Sequence, residues 1–280
     1  MKINNQEIDM TKTVFITGGT RGVGLEIAKR FAKDGANVVI VGKTVDPHPK
    51  LPGTLATATE EILTAGAKEV LAIPCDVRDL DSLNLAITAA GAKFGKIDVL
   101  VNNASALYLL KTTDLTPSKF NLMHEVIVRA SLFAAQFALP YLQKSENPHI
   151  IHLAPKPDLL AKWFKGHTAY TICKFSSSML VIGLASEFAE LGIAVNAIWP
   201  KTLLATAAVQ NLLGGDNSIK HSRHPRIVAD AAYFLTTKPI SYSGNFHLDE
   251  ELIKEGGGNL DEYSMISGSK LYTDLYVEEA

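Results

Sequence analysis

Apolar positions along the chain fall into two patterns. Short, nearly continuous runs rich in β-branched residues recur as TVFITG (13–18), NVVIVG (37–42), VLAIP (70–74), IDVLVNN (97–103), HIIHLA (149–154), IAVNAIW (193–199) and GNFHLD (244–249). Each has the length and residue types of a strand. Between them lie stretches of helical length such as GLEIAKRFAKDG (24–35), where Leu25, Ala28, Phe31 and Ala32 recur at three- and four-residue spacing along one face. Strands alternating with helices predict parallel pairing through right-handed crossovers. The scarcity of polar residues inside the runs predicts strands buried on both faces. The pattern therefore reads as an α/β fold, a doubly wound, mostly parallel sheet of seven strands with helices on both faces.

No internal repeat or Gly/Ser linker interrupts this alternation, so residues 1–280 are expected to form a single dinucleotide-binding catalytic domain. The proline-rich stretch KTVDPHPKLPG (43–53) reads as an inserted loop after the second strand. The segment 203–225, with GGD at 214–216, has weaker periodicity and is expected to lie as a mobile flap over the strand C-termini.

Composition narrows the picture. A fifth of the residues are charged and the formal net charge is −2, which points to no nucleic-acid or membrane partner. The N-terminal MKINNQEIDM lacks an apolar core and the apolar runs are of strand length, so neither a signal peptide nor a membrane span is expected and the cytoplasm is the expected location. Cys75 and Cys173, far apart in apolar segments, read as reduced structural thiols, and no metal site is expected.

The candidate chemistry begins with TGGTRGVG (17–24), set between the first strand and the first helix. Gly18, Gly22 and Gly24 permit a tight turn and close approach of a phosphate, and the helix start offers free N–H groups to an anion. Gly19, Thr20, Arg21 and Val23 complete the turn. The bland alternative is that these glycines only shape a βα turn. Lys43 stands at the end of the second strand, where a carboxylate would favour a free ribose 2′-hydroxyl. Together with Arg21 it favours a 2′-phosphate and hence NADP(H), although either cation also reads as solubilising surface charge. Asp76 and Val77 follow the third strand, and Asn102, Asn103 and Ala104 follow the fourth, on the same edge. Asp76 is placed to accept from an adenine amino group, whereas asparagines at strand ends are also ordinary turn formers. Tyr170 and Lys174 are one helical turn apart, and taken alone they read as a solvated surface pair.

In combination, T-G-x3-G-x-G, Asp76, N-N-A and Tyr-x3-Lys resemble the short-chain dehydrogenase/reductase family over about residues 11–250, which implies a Rossmann-type fold. KTVDPHPKLPGT, WFKGHTAYTICK, AVNAIWPKT, ADAAYFL and SGNFHLDE further resemble its hydroxysteroid dehydrogenase-like subfamily, whose longer members carry a sterol-carrier domain that is not in this sequence. The resemblance implies Tyr170 as acid/base, with Lys174 lowering its pKa and holding the nicotinamide ribose, and Pro200 and Thr202 beside the cofactor. An ammonium about 4 Å from the phenol at an effective dielectric of about 20 contributes up to about 4 kcal/mol, enough to bring the phenol into working range. It also implies a small-molecule carbonyl or secondary-alcohol substrate, apolar in view of TLLATAAVQNLL (202–213), and a homo-oligomer, dimer or tetramer, formed through the helices near 117–143 and 168–190. The apolar set 202–213 reads equally as core packing or a subunit contact, and Phe175, Met179 and Ile182 as core or subunit contact.

The sequence departs from the family at three places. Ala154 and Pro155 stand where a serine is sought, Ile127 where an asparagine is sought, and Lys201 where glycine is preferred after Pro200. Neither Ala154 nor Pro155 has a side-chain donor, and loss of one donor to a developing oxyanion costs about 10² to 10³ in rate. Lys156, His167 and Ser105 are candidate substitutes, each also readable as an ordinary surface or loop residue. Two readings follow: an NADP(H)-dependent oxidoreductase, or an NADP(H)-binding sensor or partner protein with impaired chemistry.

Overall fold

In the computed structural model, which describes residues 11–47 and 52–278, the seven apolar runs form one sheet. Its strands are β1 (Thr13–Thr17), β2 (Asn37–Gly42), β3 (Glu69–Pro74), β4 (Val99–Asn102), β5 (His149–Leu153), β6 (Ala194–Trp199) and β7 (Phe246–Leu248). They lie in the order β3-β2-β1-β4-β5-β6-β7 and every pairing is parallel. The helices are α1 (Gly22–Ala32), α2 (Leu55–Thr64), α3 (Leu80–Phe94), α4 (Pro117–His124), α5 (Ala130–Leu142), α6 (Thr168–Glu187), α7 (Ala207–Leu212), α8 (Gly215–Lys220), α9 (Arg226–Leu235) and α10 (Asp249–Glu255). Most of the inserted loop predicted after β2 is described, but residues 48–51 lie outside the described residues.

Strand β1 shows why both faces must be covered. Val14 and Ile16 enter one core with Ile27 and Phe31 of α1 and Ile227 and Leu235 of α9. Phe15, pointing the opposite way, enters another core with Leu83 and Ile87 of α3, Ala134 of α5 and Val181 of α6. Burying each large side chain contributes about 1.5–3 kcal/mol, so the sheet is held from both sides. The strand order reverses between β1 and β4, which opens a crevice at their C-terminal ends.

Three expectations are corrected. The helix predicted near 117–143 is interrupted by a π turn at Glu125–Arg129 between α4 and α5, and Ser131 Oγ of α5 donates back to the Ile127 carbonyl of this turn at 2.8 Å. Two helical stretches, Pro117–Leu142 and Thr168–Glu187, are long and apolar enough to cross a membrane, contrary to the reading that no segment reaches that length; 44% and 56% respectively is buried inside the fold, as in core helices. The flap expected over 203–225 is folded and tied down. Leu204 bridges Arg223, and Arg223 and Glu250 form a buried ion pair at the start of α10. Beyond α10 the chain returns across the C-terminal edge of the sheet as a strap. Thr273 bridges Thr202 antiparallel, the Leu203 N–H donates to the Tyr272 carbonyl at 2.8 Å and the Asp274 N–H to the Lys201 carbonyl at 3.0 Å, and Trp199 Nε1 donates to the Leu275 carbonyl at 2.7 Å.

Candidate active site

The glycine turn is shaped by contacts that only glycine allows. Gly18 and Gly22 have φ of +69° and +54°, a region costly for other residues. A Cβ on Gly24 would lie 2.4 Å from the Gly18 carbonyl oxygen and 2.5 Å from Asn103 Nδ2, and one on Gly19 would lie 2.5 Å from an Ile40 methyl. Helix α1 begins at Gly22 with no side-chain cap on its first N–H groups and no acid in its first turn, leaving the positive helix end open. Thr20 is buried and Val23 is packed against the core. Asn103 and Ala104 lie beside the turn, as expected, but Asn103 Nδ2 is committed to the Thr17 and Gly18 carbonyls at 2.8 and 3.0 Å. The Asn103 and Ala104 N–H groups both donate to Thr17 Oγ1 at 3.0 Å.

Arg21 reaches the segment that follows β2, next to Lys43 in sequence. Arg21 Nη2 donates to Thr44 Oγ1 at 2.7 Å and to the Gly53 carbonyl at 3.0 Å, while Lys43 is exposed. Asp76 reaches the expected edge, but both its oxygens accept from the Arg78 guanidinium, at 3.0 Å and 2.6 Å. That grip holds its carboxyl below the ordinary range, with the Lys43 charge adding to it. Val77 is buried below.

Tyr170 and Lys174 sit on the first turns of α6, both buried, at 6% and 4% exposure. Their spacing brings them to one face, yet burial rather than the neighbouring ammonium dominates the phenol. Lys174 Nζ donates to the Leu153 carbonyl at 2.9 Å and lies 4.9 Å from the Trp199 ring centre. Burial lowers its pKa to about 8, against the opposing charge of Asp274. The Tyr170 phenol is instead pushed well above its ordinary value, first by burial and then by Tyr276 and Asp274, with a hydrogen bond from Ser105 acting against them. The expectation that Lys174 acidifies this phenol is thus corrected: the ammonium turns to a carbonyl and an aromatic face, and desolvation dominates.

The apolar substitutions at the serine and asparagine positions are integrated into packing. Ala154 is 1% exposed, the Pro155 carbonyl accepts from Ser178 Oγ at 2.6 Å, and Ile127 lies buried in the π turn. Of the three candidate substitutes, Lys156 is exposed and His167 Nε2 is buried without a partner. Ser105 is the one that reaches Tyr170. Pro200 and Thr202 are buried at the end of β6. Lys201 directs its ammonium to Glu250 at 3.2 Å.

Residues after 250 supply a part of the site that the sequence reading missed. Tyr276 has a φ of +67°, the one non-glycine residue with positive φ among the described residues. Its ring packs 6.4 Å from Tyr170, 5.2 Å from Phe175 and 5.8 Å from Trp199, and its hydroxyl bonds Thr171 Oγ1 at 3.1 Å. Asp274 comes with it. Outside the strap, a cavity of about 720 Å³ is lined by Leu109, Trp163, Leu203, Leu213 and Leu275 together with Asp274. The available signal was LYTDLYV (271–277), an aromatic and aliphatic run too apolar for a solvated tail.

Comparison with known proteins fits this arrangement. The family model described as short chain dehydrogenase matches residues 12–215. Hydroxysteroid dehydrogenase-like protein 2 of Danio rerio is 48% identical over 269 residues, covering 95% of this chain and 64% of the relative, so the chain spans somewhat under two thirds of that protein. The crystal structure of a short chain dehydrogenase of Mycobacterium thermoresistibile superposes with a TM-score of 0.90 at 45% identity, covering 95% of each chain. Two more distant structures share the fold: a metagenomic short-chain oxidoreductase in complex with NADP, with a TM-score of 0.67 at 23% identity over 85% of this chain and 95% of that one, and a Mycobacterium paratuberculosis short chain dehydrogenase bound to NAD, with a TM-score of 0.70 at 22% identity over the same shares. With the seven-stranded parallel sheet and the glycine turn in place, the chain belongs to the short-chain dehydrogenase/reductase family of oxidoreductases, in its hydroxysteroid dehydrogenase-like group.

Proposed function

We propose that the chain is an NADP(H)-dependent oxidoreductase that interconverts a carbonyl and a secondary alcohol on an apolar small molecule, with Tyr170 as the acid/base. The observation that carries the reading is a buried tyrosine hydroxyl, its pKa pushed up by burial, one helical turn from a buried lysine, in a fold whose glycine turn fits a dinucleotide. The fit rests on the uncapped start of α1 and on the tight space at Gly24, which leaves backbone rather than side chain facing an incoming pyrophosphate. A bound nicotinamide supplies or accepts the hydride. In the reducing direction Tyr170 gives its proton to the carbonyl oxygen. Lys174 keeps donors beyond the one spent on Leu153 for the ribose that the family resemblance assigns to it. Arg21, bonded to Thr44, and the exposed Lys43 that precedes it favour a 2′-phosphate.

Purified protein with NADPH is expected to reduce members of a panel of aldehydes and ketones, and Tyr170→Phe to abolish turnover while cofactor fluorescence still titrates. Tight titration with no substrate consumed favours a second reading, a dinucleotide-binding sensor. The apolar replacements Pro155 and Ile127 and the engagement of Asp76 by Arg78 are what speak for it. A homo-oligomer is proposed through α6, where Met179 and Ile182 are 55% and 54% exposed on one side.

A further inference from the structure

This inference rests on the reading of Tyr170 as the acid of a carbonyl reduction. That chemistry asks for a second donor at the substrate oxygen, and residues 154 and 155 have none to give. The hydroxyl of Ser105 is already engaged in a hydrogen bond with the Tyr170 hydroxyl. Lys156 points to solvent. His167 packs its ring against Tyr276, with centroids 6.3 Å apart.

The strap brings in another polar group. The Asp274 backbone is fixed by its N–H bond to the Lys201 carbonyl and by the neighbouring bridge between Thr202 and Thr273. Its Oδ1 accepts from the Leu275 N–H at 2.6 Å, and its Oδ2 has no hydrogen-bond partner among the described residues. The carboxyl forms part of the wall of the 720 Å³ cavity, and its charge is felt by both Lys174 and Tyr170. It therefore belongs both to the wall of this cavity, which carries polar as well as apolar side chains, and to the electrostatic surroundings of the tyrosine–lysine pair, with one oxygen uncommitted.

We propose that Asp274, in its protonated form, donates a hydrogen bond to the carbonyl oxygen of a substrate entering from this cavity, in place of the missing serine hydroxyl. The substrate class is an aldehyde or ketone on an apolar body, matched to Leu109, Trp163, Leu203, Leu213 and Leu275. In the reduction the carbonyl carbon gains a hydride from the nicotinamide, its oxygen gains the Tyr170 proton, and solvent returns a proton to Tyr170. Asp274 keeps its own proton throughout.

Burial raises this carboxyl to about 7, with the Asp249 charge adding and the Leu275 N–H and Lys174 opposing. The groups that face it are Lys174 and Tyr170 from α6, Asp249 from α10, Tyr276 and Glu278 from the strap, Lys162 across the cavity, and Lys201, whose ammonium is held by Glu250. A carboxylic acid kept neutral by an apolar site is an established kind of oxyanion donor.

The test compares Asp274→Asn, which keeps a donor without a titration, with Asp274→Ala, which removes both. Circular dichroism and cofactor fluorescence establish that each variant is folded. The expected kcat/KM of the wild type falls as pH rises past about 7, then again past about 8 as Lys174 loses its proton. Asp274→Asn is expected to stay within about tenfold of the low-pH rate and to lose only the first fall, whereas Asp274→Ala is expected to lose about 10²-fold. A reading independent of turnover is the infrared carboxylic-acid band, expected in the wild type below about 7 and missing in Asp274→Asn. Equal rates for the two variants, a first fall that persists in Asp274→Asn, or a band unchanged by that substitution overturns the role of Asp274 alone. A wild type that turns over no carbonyl takes down the proposed function and this role together.

Discussion

At the scale of single residues, solvation decides more than neighbour spacing. Tyr170 and Lys174 are adjacent on α6 by helical geometry, and that much was legible from Tyr-x3-Lys. The direction of the Tyr170 pKa was not, because spacing says nothing of where an ammonium turns or how dry a phenol is. With the phenol held protonated, carbonyl reduction should be insensitive to Tyr170 ionisation around neutral pH. Alcohol oxidation, which needs the phenolate, should quicken as pH rises, and initial rates in both directions across pH check this. Gly24 is the other residue whose role follows from space alone. Gly24→Ala should destabilise the fold by about 1–3 kcal/mol in urea unfolding and weaken dinucleotide binding, because its methyl meets a carbonyl oxygen and Asn103.

At the scale of elements, all seven strands were readable because each is a short β-branched run with no competing helical period. The π turn at Glu125–Arg129 was not: an extra residue within a helix leaves the local apolar pattern nearly unchanged. The grouping of Phe175, Met179 and Ile182 resolves into two faces. Phe175 is 2% exposed beside Tyr276, whereas Met179 and Ile182 face outward. If α6 forms the subunit contact, Met179→Glu with Ile182→Glu should shift the mass in analytical ultracentrifugation toward the monomer with little loss of monomer stability, since neither side chain fills the core. An unchanged mass would assign the contact elsewhere. The strap escaped sequence reading for a different reason. Its residues follow no periodicity, and their place depends on partners about 70 to 110 positions earlier, such as Trp199 and Thr171.

Across the whole molecule, buried titratable groups pull stability in opposite directions. His152 is fully buried between Asn102 Nδ2 and Ser177 Oγ, each at 3.3 Å. Burial lowers its pKa to about 3, and that of the likewise buried His149 to about 4. The unfolded chain takes up these protons first, so stability is retained above about 6.5 and lost as pH falls below it, by up to about 5 kcal/mol for His152. Asp249 and Asp274 act with the reverse sign. Their carboxyls are raised to about 6 and about 7, so their contribution is present below about 4 and lost as pH rises through those values. In urea unfolding, the stability of wild type relative to His152→Gln should therefore drop on moving from pH 7 to pH 5, while that relative to Asp274→Asn should rise.

The position of the strap also has a consequence for synthesis. Tyr170 and Lys174 emerge from the ribosome about a hundred residues before Tyr276 does, yet the aromatic cluster around them is closed only when that ring docks. A nascent chain that has already made its whole sheet should still hold an unfinished reaction chamber, with Cys173 and Trp199 open to solvent, until Tyr276 has cleared the exit tunnel.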